Sequence, residues 1–170
     1  IVSVPKHFPG HGRSIHDTHL NSSIVNTELS ELIKTDFIPF NILKKSLIVM
    51  LAHITYTAID KNVATYSRKI IEIFLRKKFH FKGLVLSDDI SMKGISGSLI
   101  EKVENSYNAG CDVILYCSGT LEEIKEIYPH VRQIKKNTFN FFSKGITKLK
   151  LKKKNFRKYK SDLINYGLIK

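Results

Sequence analysis

Short apolar runs alternate along the chain with segments of helical periodicity. The runs cover residues 1–4, 46–52, 83–87 and 111–117, and each is continuous, rich in Val, Ile and Leu and bounded by polar or turn residues. Such runs are typical of strands that are buried on both faces of a parallel sheet. We therefore predict the order β-α-β-α-β-α-β-α, with parallel strands joined by crossover helices.

Two of the helical segments carry their own start signals. Ser98 and Glu101 have the spacing of a capping box, and so do Thr120 and Glu123. Gly110 follows the first of these segments as a helix stop. We predict helices that begin directly after the two capping residues.

Polar side chains cluster where the predicted strands end. Residues 6–19 follow the first strand, His53 the second, Asp88 and Asp89 the third, and residues 118–119 the fourth. In βα architectures the loops at the carboxyl ends of the strands open on one face. We expect the four strand ends to converge on one site.

The first of these loops contains HDTH, in which Asp17 and His19 lie two positions apart. At that spacing the carboxylate can accept a hydrogen bond from one imidazole nitrogen and leave the other facing a substrate. A general acid or base near neutral pH needs this arrangement. A surface turn is the alternative, because Asp and His are both common in loops, and the spacing leaves both interpretations open.

The third strand ends in a pair of carboxylates. Asp88 is the first charged residue after the apolar run, so we expect it at the strand tip and partly desolvated. A carboxylate in that position can act as a nucleophile, a metal ligand or a base. We assign Asp89 to capping the segment that follows. A purely structural role for both is the alternative.

The loop after the first strand begins with KHFPGHG. Lys6 and His7 stand at the strand tip, where they can hydrogen-bond hydroxyl groups or bind an anion, and the glycines allow close approach of the backbone. Metal binding by His7, His11, His16 and His19 is conceivable, but the loop has no HxH or HExxH spacing. We expect no metal site.

Composition narrows the class of protein. A content of 42% hydrophobic and 10% aromatic residues is typical of a globular chain, and no apolar run approaches the roughly 20 residues that span a bilayer. The net charge of +13 is concentrated in KLKLKKKNFRKYK, which we interpret as a solvated face or tail rather than a nucleic-acid site. Cys111 and Cys117 lie too far apart on one strand for a disulfide. We interpret them as two buried, reduced thiols, which suit a reducing compartment such as the cytoplasm. Because the apolar runs are short, we expect no membrane partner.

The motifs occur together in a fixed order. KHFPGHG, DTH, VMLAHITYTAID, FKGLVLSDDISMKG and AGCDVILYC follow one another over residues 1–118. This combination resembles the β-N-acetylhexosaminidases of glycoside hydrolase family three, enzymes of bacterial peptidoglycan recycling. KHFPGHG followed by an Asp-small-His triplet, and SDD-hydrophobic-SM, are the most specific parts of the resemblance.

The resemblance implies roles for five residues. Asp88 matches the family's nucleophile, His19 its acid/base and Asp17 the partner of that histidine. Lys6 and His7 match the pair that holds hydroxyls of the N-acetylglucosamine ring. The resemblance further implies a retaining double displacement, no cofactor, and terminal β-1,4-linked N-acetylglucosamine of muropeptides as the small carbohydrate substrate.

The resemblance also implies the fold, a (β/α)8 TIM barrel. The predicted strands correspond to the fifth to eighth of that barrel, so we expect residues 1–142 to form its C-terminal half and residues 143–170 a basic helix or tail. We expect a missing N-terminal half, with this chain as a fragment of a longer product. A truncated, inactive remnant, a basic binding module and a metal-dependent barrel hydrolase are the alternatives.

Overall fold

A computed structural model describes residues 2–151 of the chain. The strands in this part are β1 (Ser23–Val25), β2 (Ile48–Met50), β3 (Ile54–Tyr56), β4 (Leu84–Asp89) and β5 (Val113–Leu115). They form a parallel sheet in the order β2-β4-β5 and a separate parallel pair of β1 with β3. The predicted parallel arrangement is confirmed for the second to fourth apolar runs, and the short β1–β3 pair is an addition that the sequence pattern does not predict.

Helices lie between the strands in the predicted order. They are α1 (Leu29–Lys34), α2 (Ile38–Ile42), a π-helix (Lys69–Lys78), α3 (Leu99–Ala109), α4 (Leu121–Ile127) and α5 (Lys136–Leu151), with single 3-10 turns at Ala64–Tyr66 and Tyr128–His130. Both predicted capping boxes are formed, at the starts of α3 and α4. Gly110 ends α3 with a φ of 118°, a conformation that suits glycine.

The first predicted strand, residues 1–4, is not a strand in the described part of the chain, which begins at residue 2. The chain contacts the sheet just after this segment, at residues 5–8. Met50 donates its N–H to the Pro5 carbonyl at 3.1 Å, and Phe8 donates its N–H to the Met50 carbonyl at 2.8 Å. Phe8 and Leu51 form one parallel bridge. Because Pro5 has no N–H, it offers only its carbonyl to a ladder, which limits the pairing to this short contact.

A cluster of phenylalanine rings anchors the chain at Phe8. Phe8 is fully buried, and its ring lies 5.9 Å from Phe37, 5.2 Å from Phe40 and 5.8 Å from Phe79, the last two edge to face. Edge-to-face packing is a favoured geometry for aromatic pairs. The cluster therefore anchors the residue that directly follows Lys6 and His7.

A buried ion pair joins the starts of β4 and β5. Arg76 of the π-helix donates to the carbonyls of Phe81 and Gly83, at 3.1 and 2.7 Å, and to the carboxylate of Asp112. The same Asp112 oxygen accepts the N–H of Val85 at 2.9 Å. Since Asp112 has a side chain only 4% exposed, its charge depends on these two donors.

We expect Asp112→Ala to lower the free energy of unfolding by about 3–5 kcal/mol, because it leaves the Arg76 charge without its buried partner. The matched control is Glu104→Ala, which removes the exposed ion pair with His130 and should cost about 0–1 kcal/mol. Denaturant unfolding of both variants measures the difference. Equal losses in the two variants would contradict the assignment of Arg76 and Asp112 as the link between the strands.

Two sequence predictions about the outer parts of the chain are refined. Cys111 and Cys117 are both free, and Cys111 is buried as predicted. The prediction of a buried thiol is wrong for Cys117, which is exposed because it lies beyond the end of β5. Helix α5 includes residues 143–151, the start of the predicted basic segment 143–170. Residues 152–170 of that segment lie outside the described residues. Within residues 2–151, no helix is long and apolar enough to span a membrane.

Candidate active site

Loops from different strands meet at the carboxyl end of the sheet, as the sequence predicts. His7, directly before the bridge residue Phe8, lies 3.6 Å from Asp88 at the end of β4, measured between Nε2 and Oδ2. His53, between β2 and β3, contacts the Asp89 carbonyl at 3.1 Å. Cys117, after β5, donates its N–H to the Asp89 carboxylate at 3.0 Å. These contacts place the polar ends of the strands in one site.

A bulge in β4 sets the direction of the Asp88 side chain. Ser87 and Asp88 together face a single residue of β5, because the register shifts between the two flanking pairs. The Ser87 hydroxyl takes a main-chain partner at this point, accepting the Leu115 N–H at 2.9 Å. A bulge bends its strand and re-aims the side chains next to it. Asp88 is 7% exposed, as expected for a partly desolvated carboxylate at the strand tip.

Asp88 is held by one main-chain donor and faces one imidazole. Its Oδ1 accepts the N–H of Asp89 at 2.9 Å, whereas the 3.6 Å from Oδ2 to His7 Nε2 is longer than a hydrogen bond. Burial lowers the pKa of His7 and outweighs the opposing charge of Asp88, and the neighbouring basic groups, among them Lys6 and His19, lower it further. A neutral His7 at neutral pH keeps one ring N–H free to donate.

Lys6 and His19 are exposed residues in the same region as His7. Both are close enough to His7 for their charge to affect its pKa. The structure thus brings His7 and Asp88 together, whereas the roles of Lys6 and His19 stay predictions. Among residues 2–151, no three His, Cys, Asp or Glu side chains are grouped so that they could hold a metal ion.

The expected contact between Asp17 and the imidazole of His19 is not formed, and the prediction is wrong in this respect. The Asp17 carboxylate instead accepts the backbone N–H of His19 at 2.9 Å. Asp17 also accepts, through its carbonyl, the N–H groups of Leu20 and Asn21, both at 3.0 Å. An Asp side chain readily bonds the N–H two residues on, so the same spacing that permits a ring contact here closes a turn.

The middle residue of the triplet has a structural role that the sequence analysis does not assign. Thr18 is 2% exposed, and its hydroxyl lies 3.2 Å from His11 Nε2. Lys93, in the turn after β4, donates its N–H to the His19 carbonyl at 3.3 Å. The loop that carries His19 is thus attached both to the KHFPGHG turn and to the segment that follows Asp88.

Gly94 is the point of closest approach between these two loops. A Cβ at this position would lie 2.5 Å from the Thr18 carbonyl oxygen, a backbone atom that cannot move aside freely. We expect Gly94→Ala to displace the triplet and to lower any activity that depends on His19 by about 100-fold, the scale of a 1 Å misplacement. Steady-state kinetics and the amide spectrum of residues 17–21 measure the change.

Gly12→Ala is the control, since a Cβ there meets no atom within 4 Å. We expect it to leave the amide signals of residues 17–21 where they are. A Gly94→Ala protein with the same signals and unchanged kinetics would contradict the proposed attachment of the loop.

Asp89 caps the turn after the strand, as predicted. Its carboxylate accepts the Ser91 N–H at 3.0 Å and the Ser91 hydroxyl at 2.6 Å, in addition to the Cys117 N–H. Burial raises the pKa of Asp89, but these hydrogen bonds outweigh it and lower the pKa overall. The next helix, α3, has its own cap in Ser98. Asp89 therefore stays ionised and holds the turn, while Asp88 faces the site.

Lys102 and His53 are two further groups to which the sequence analysis gives no role. Lys102 of α3 donates through Nζ to the carbonyls of Ile90 and Met92, at 2.9 and 3.3 Å. His53 is fully buried beneath the same turn. In the sequence, His53 stands out only as a single histidine at the end of an apolar run.

Comparison with known proteins gives a consistent result. The model of the glycosyl hydrolase family 3 N-terminal domain matches residues 1–143. The β-hexosaminidase of Tolumonas auensis is 40% identical over 119 residues, which are 67% of this chain and 36% of the relative. The β-hexosaminidase of Haemophilus influenzae is 37% identical over 123 residues, or 69% of this chain and 35% of the relative.

Solved structures show the same similarity. The crystal structure of NagZ from Neisseria gonorrhoeae in complex with N-trifluoroacetyl-D-glucosamine has a TM-score of 0.73 at 31% identity, and the alignment covers 84% of this chain and 42% of that one. The β-N-acetylglucosaminidase of Thermotoga maritima has a TM-score of 0.68 at 31% identity, covering 91% and 36%. The fold is thus of the TIM-barrel type, as predicted, with part of a barrel in this chain. The chain spans about a third of the length of the curated relatives it matches (36% and 35%).

Proposed function

The chain belongs to glycosyl hydrolase family 3, and from that premise we propose that it carries the catalytic groups of a retaining β-N-acetylhexosaminidase. The observation that most supports the proposal is Asp88. It is a nearly buried carboxylate that a bulge turns into the site, where His7 lies 3.6 Å away. A nucleophile needs this combination of access, a fixed orientation and little competing solvent.

Asp88 acts as the nucleophile in the first step. One of its oxygens attacks the anomeric carbon, the bond from that carbon to the leaving oxygen breaks, and His19 gives its proton to the departing oxygen. His19 stands on the exposed loop beside the site, where a leaving group has room to depart. The product of this step is a glycosyl ester of Asp88, as in other retaining glycosidases.

His19 acts as the base in the second step. It takes a proton from water, the water oxygen attacks the anomeric carbon, and the ester bond to Asp88 breaks, so the configuration of the sugar is retained. Asp17 contributes by closing the turn that fixes the His19 backbone, through the 2.9 Å bond to its N–H.

Lys6 and His7 bind the sugar. Lys6 is exposed at the rim, and His7 is half-buried directly before the anchored Phe8. We propose that both donate hydrogen bonds to ring hydroxyls, and that the terminal sugar is the N-acetylglucosamine of muropeptides. The β-hexosaminidase relatives support the hexosamine class, and one similar structure contains N-trifluoroacetyl-D-glucosamine.

The extent and setting of the domain follow from the same assignment. We propose that residues 1–142 form half of a TIM barrel. We further propose that the enzyme acts in the cytoplasm in peptidoglycan recycling. The free thiols of Cys111 and Cys117 suit a reducing compartment.

The test is hydrolysis by the complete gene product that contains this chain. We expect it to release the chromophore from an aryl N-acetyl-β-glucosaminide, to cut the β-1,4 bond of a muropeptide, and to give the β-anomer first by NMR. Activity that disappears with a chelator and returns with a metal would favour the metal-dependent hydrolase. No turnover, together with strongly salt-dependent DNA binding, would favour the basic binding module.

A further inference from the structure

His53 is the most deeply buried ionisable ring in the site, and the mechanism above does not use it. It lies between β2 and β3 and is 0% exposed. Its Nδ1 lies 2.8 Å from the Thr65 hydroxyl and its Nε2 lies 3.1 Å from the Asp89 carbonyl oxygen. Both nitrogens are therefore engaged, one on each side of the ring.

The partners of His53 determine which nitrogen carries the proton. The Asp89 carbonyl can only accept, so Nε2 is protonated and donates to it. The Thr65 hydroxyl can either donate to Nδ1 or turn to the Ala52 carbonyl, 3.0 Å away. With Nε2 donating to Asp89, a neutral ring requires Nδ1 to accept the single Thr65 proton in place of the Ala52 carbonyl. Burial favours this neutral ring, since it lowers the pKa of His53 and outweighs the charge of Asp88.

The residue that His53 contacts also holds the nucleophile. The carbonyl of Asp89 accepts from His53, and the N–H of Asp89 donates to Asp88 Oδ1 at 2.9 Å. A bulge at Ser87 and Asp88 interrupts the regular ladder to β5 at this point. The Asp89 carbonyl also accepts the Met92 N–H at 3.1 Å, so the His53 ring is a second donor that fixes the direction of this carbonyl beside the bulge.

We propose that His53 is a positioning residue for the nucleophile. Its Nε2–H fixes the Asp89 carbonyl, and the N–H of the same residue then holds the Asp88 carboxylate in its direction of attack. Thr65 keeps the ring in the required tautomer. The kinetic part of this inference rests on the proposed glycosidase function, whereas the hydrogen-bond part does not.

Two variants of His53 separate positioning from packing. His53→Gln has an amide NH2 near the place of Nε2, whereas His53→Asn has one near Nδ1 and stops short of Asp89. In the complete gene product we expect His53→Asn to lower kcat by about 10- to 100-fold with little change in KM. We expect His53→Gln to recover most of that loss. Thermal melting of each variant gives its fraction of folded protein, and kcat is expressed per folded molecule.

NMR supplies a readout that does not require activity. With ¹⁵N-labelled histidine, we expect the Nε2–H tautomer at His53, and we expect the Asp89 amide proton to shift in His53→Asn and to return toward its original position in His53→Gln. Thr65→Val is the second route if His53→Asn fails to fold, and it should mix the two tautomers.

Three results would overturn the proposal: an Nδ1–H tautomer, an Asp89 amide that does not move, or equal kcat losses in the Asn and Gln variants. If the unmodified protein cuts no glycoside, the proposed function fails, and the NMR results alone decide the role of His53.

Discussion

Replacing Asp88 by alanine should abolish hydrolysis of an aryl N-acetyl-β-glucosaminide, with a fall in kcat on the order of 10⁴- to 10⁶-fold, the scale seen when a nucleophile is removed. The carboxylate is the group that forms the ester intermediate, and alanine offers no oxygen to attack the anomeric carbon. Steady-state and single-turnover kinetics measure the loss.

Azide provides a sharper test of the Asp88→Ala protein. The small anion can enter the space left by the carboxylate and attack the anomeric carbon once, so a single displacement should give the α-glycosyl azide. Glu126→Gln, an exposed carboxylate on α4, is the control and should retain full activity. Unchanged turnover in Asp88→Ala, or a β-azide product, would contradict the assignment of Asp88.

Replacing His19 by alanine should have the second-largest effect, and its size should depend on the leaving group. We expect hydrolysis of a disaccharide to fall by about 10²- to 10⁴-fold, the usual contribution of a general acid or base. Formation of the glycosyl-enzyme from a dinitrophenyl glycoside should change far less, because that leaving group needs no proton. Pre-steady-state kinetics then show a burst followed by slow turnover.

His16→Ala is the matched control for this loop, because His16 is an exposed ring three positions before His19. It should leave both substrates unaffected. If His19→Ala slowed formation of the glycosyl-enzyme equally for both leaving groups, a role of His19 in proton transfer would be contradicted. Azide should accelerate turnover of the His19→Ala intermediate and give the β-azide, the opposite configuration to that from Asp88→Ala.

The parts of the fold that the sequence predicts are those in which one local signal dominates. Continuous apolar runs identify β2, β4 and β5, and the capping boxes identify the starts of α3 and α4. The pair β1–β3 escapes prediction because β1 is only three residues long and alternates buried and exposed positions around Ile24. Its pairing is set by long-range contact and not by its own pattern.

The candidate site divides in the same way. Asp88 and His7 are predictable because each follows an apolar segment that must end at the sheet edge. The bulge at Asp88 is not predictable, since it depends on the register between β4 and β5. The Asp17 carboxylate shows the limit of arguments from spacing. A separation of two residues allows it to bond either the His19 ring or the His19 backbone N–H, and the geometry of the turn selects the N–H.

The sequence says least about the side chains that hold the turn after Asp88 from other elements of the fold. His53 and Lys102 lie 36 and 12 residues from the carbonyls that they hold, and neither belongs to the loop that carries the nucleophile. Both side chains donate to backbone carbonyl oxygens. Because every residue has such an oxygen, the sequence does not show which one accepts. Only the folded arrangement shows that the turn after Asp88 is held from two sides.

Trapping the covalent intermediate tests the central claim most directly. A 5-fluoro N-acetylglucosaminyl fluoride has a good leaving group, while its ring fluorine slows the breakdown of the ester. After incubation with the complete gene product and protease digestion, mass spectrometry should locate one N-acetylglucosaminyl group on Asp88. A label on another carboxylate, or an active enzyme that never carries the label, would contradict the account.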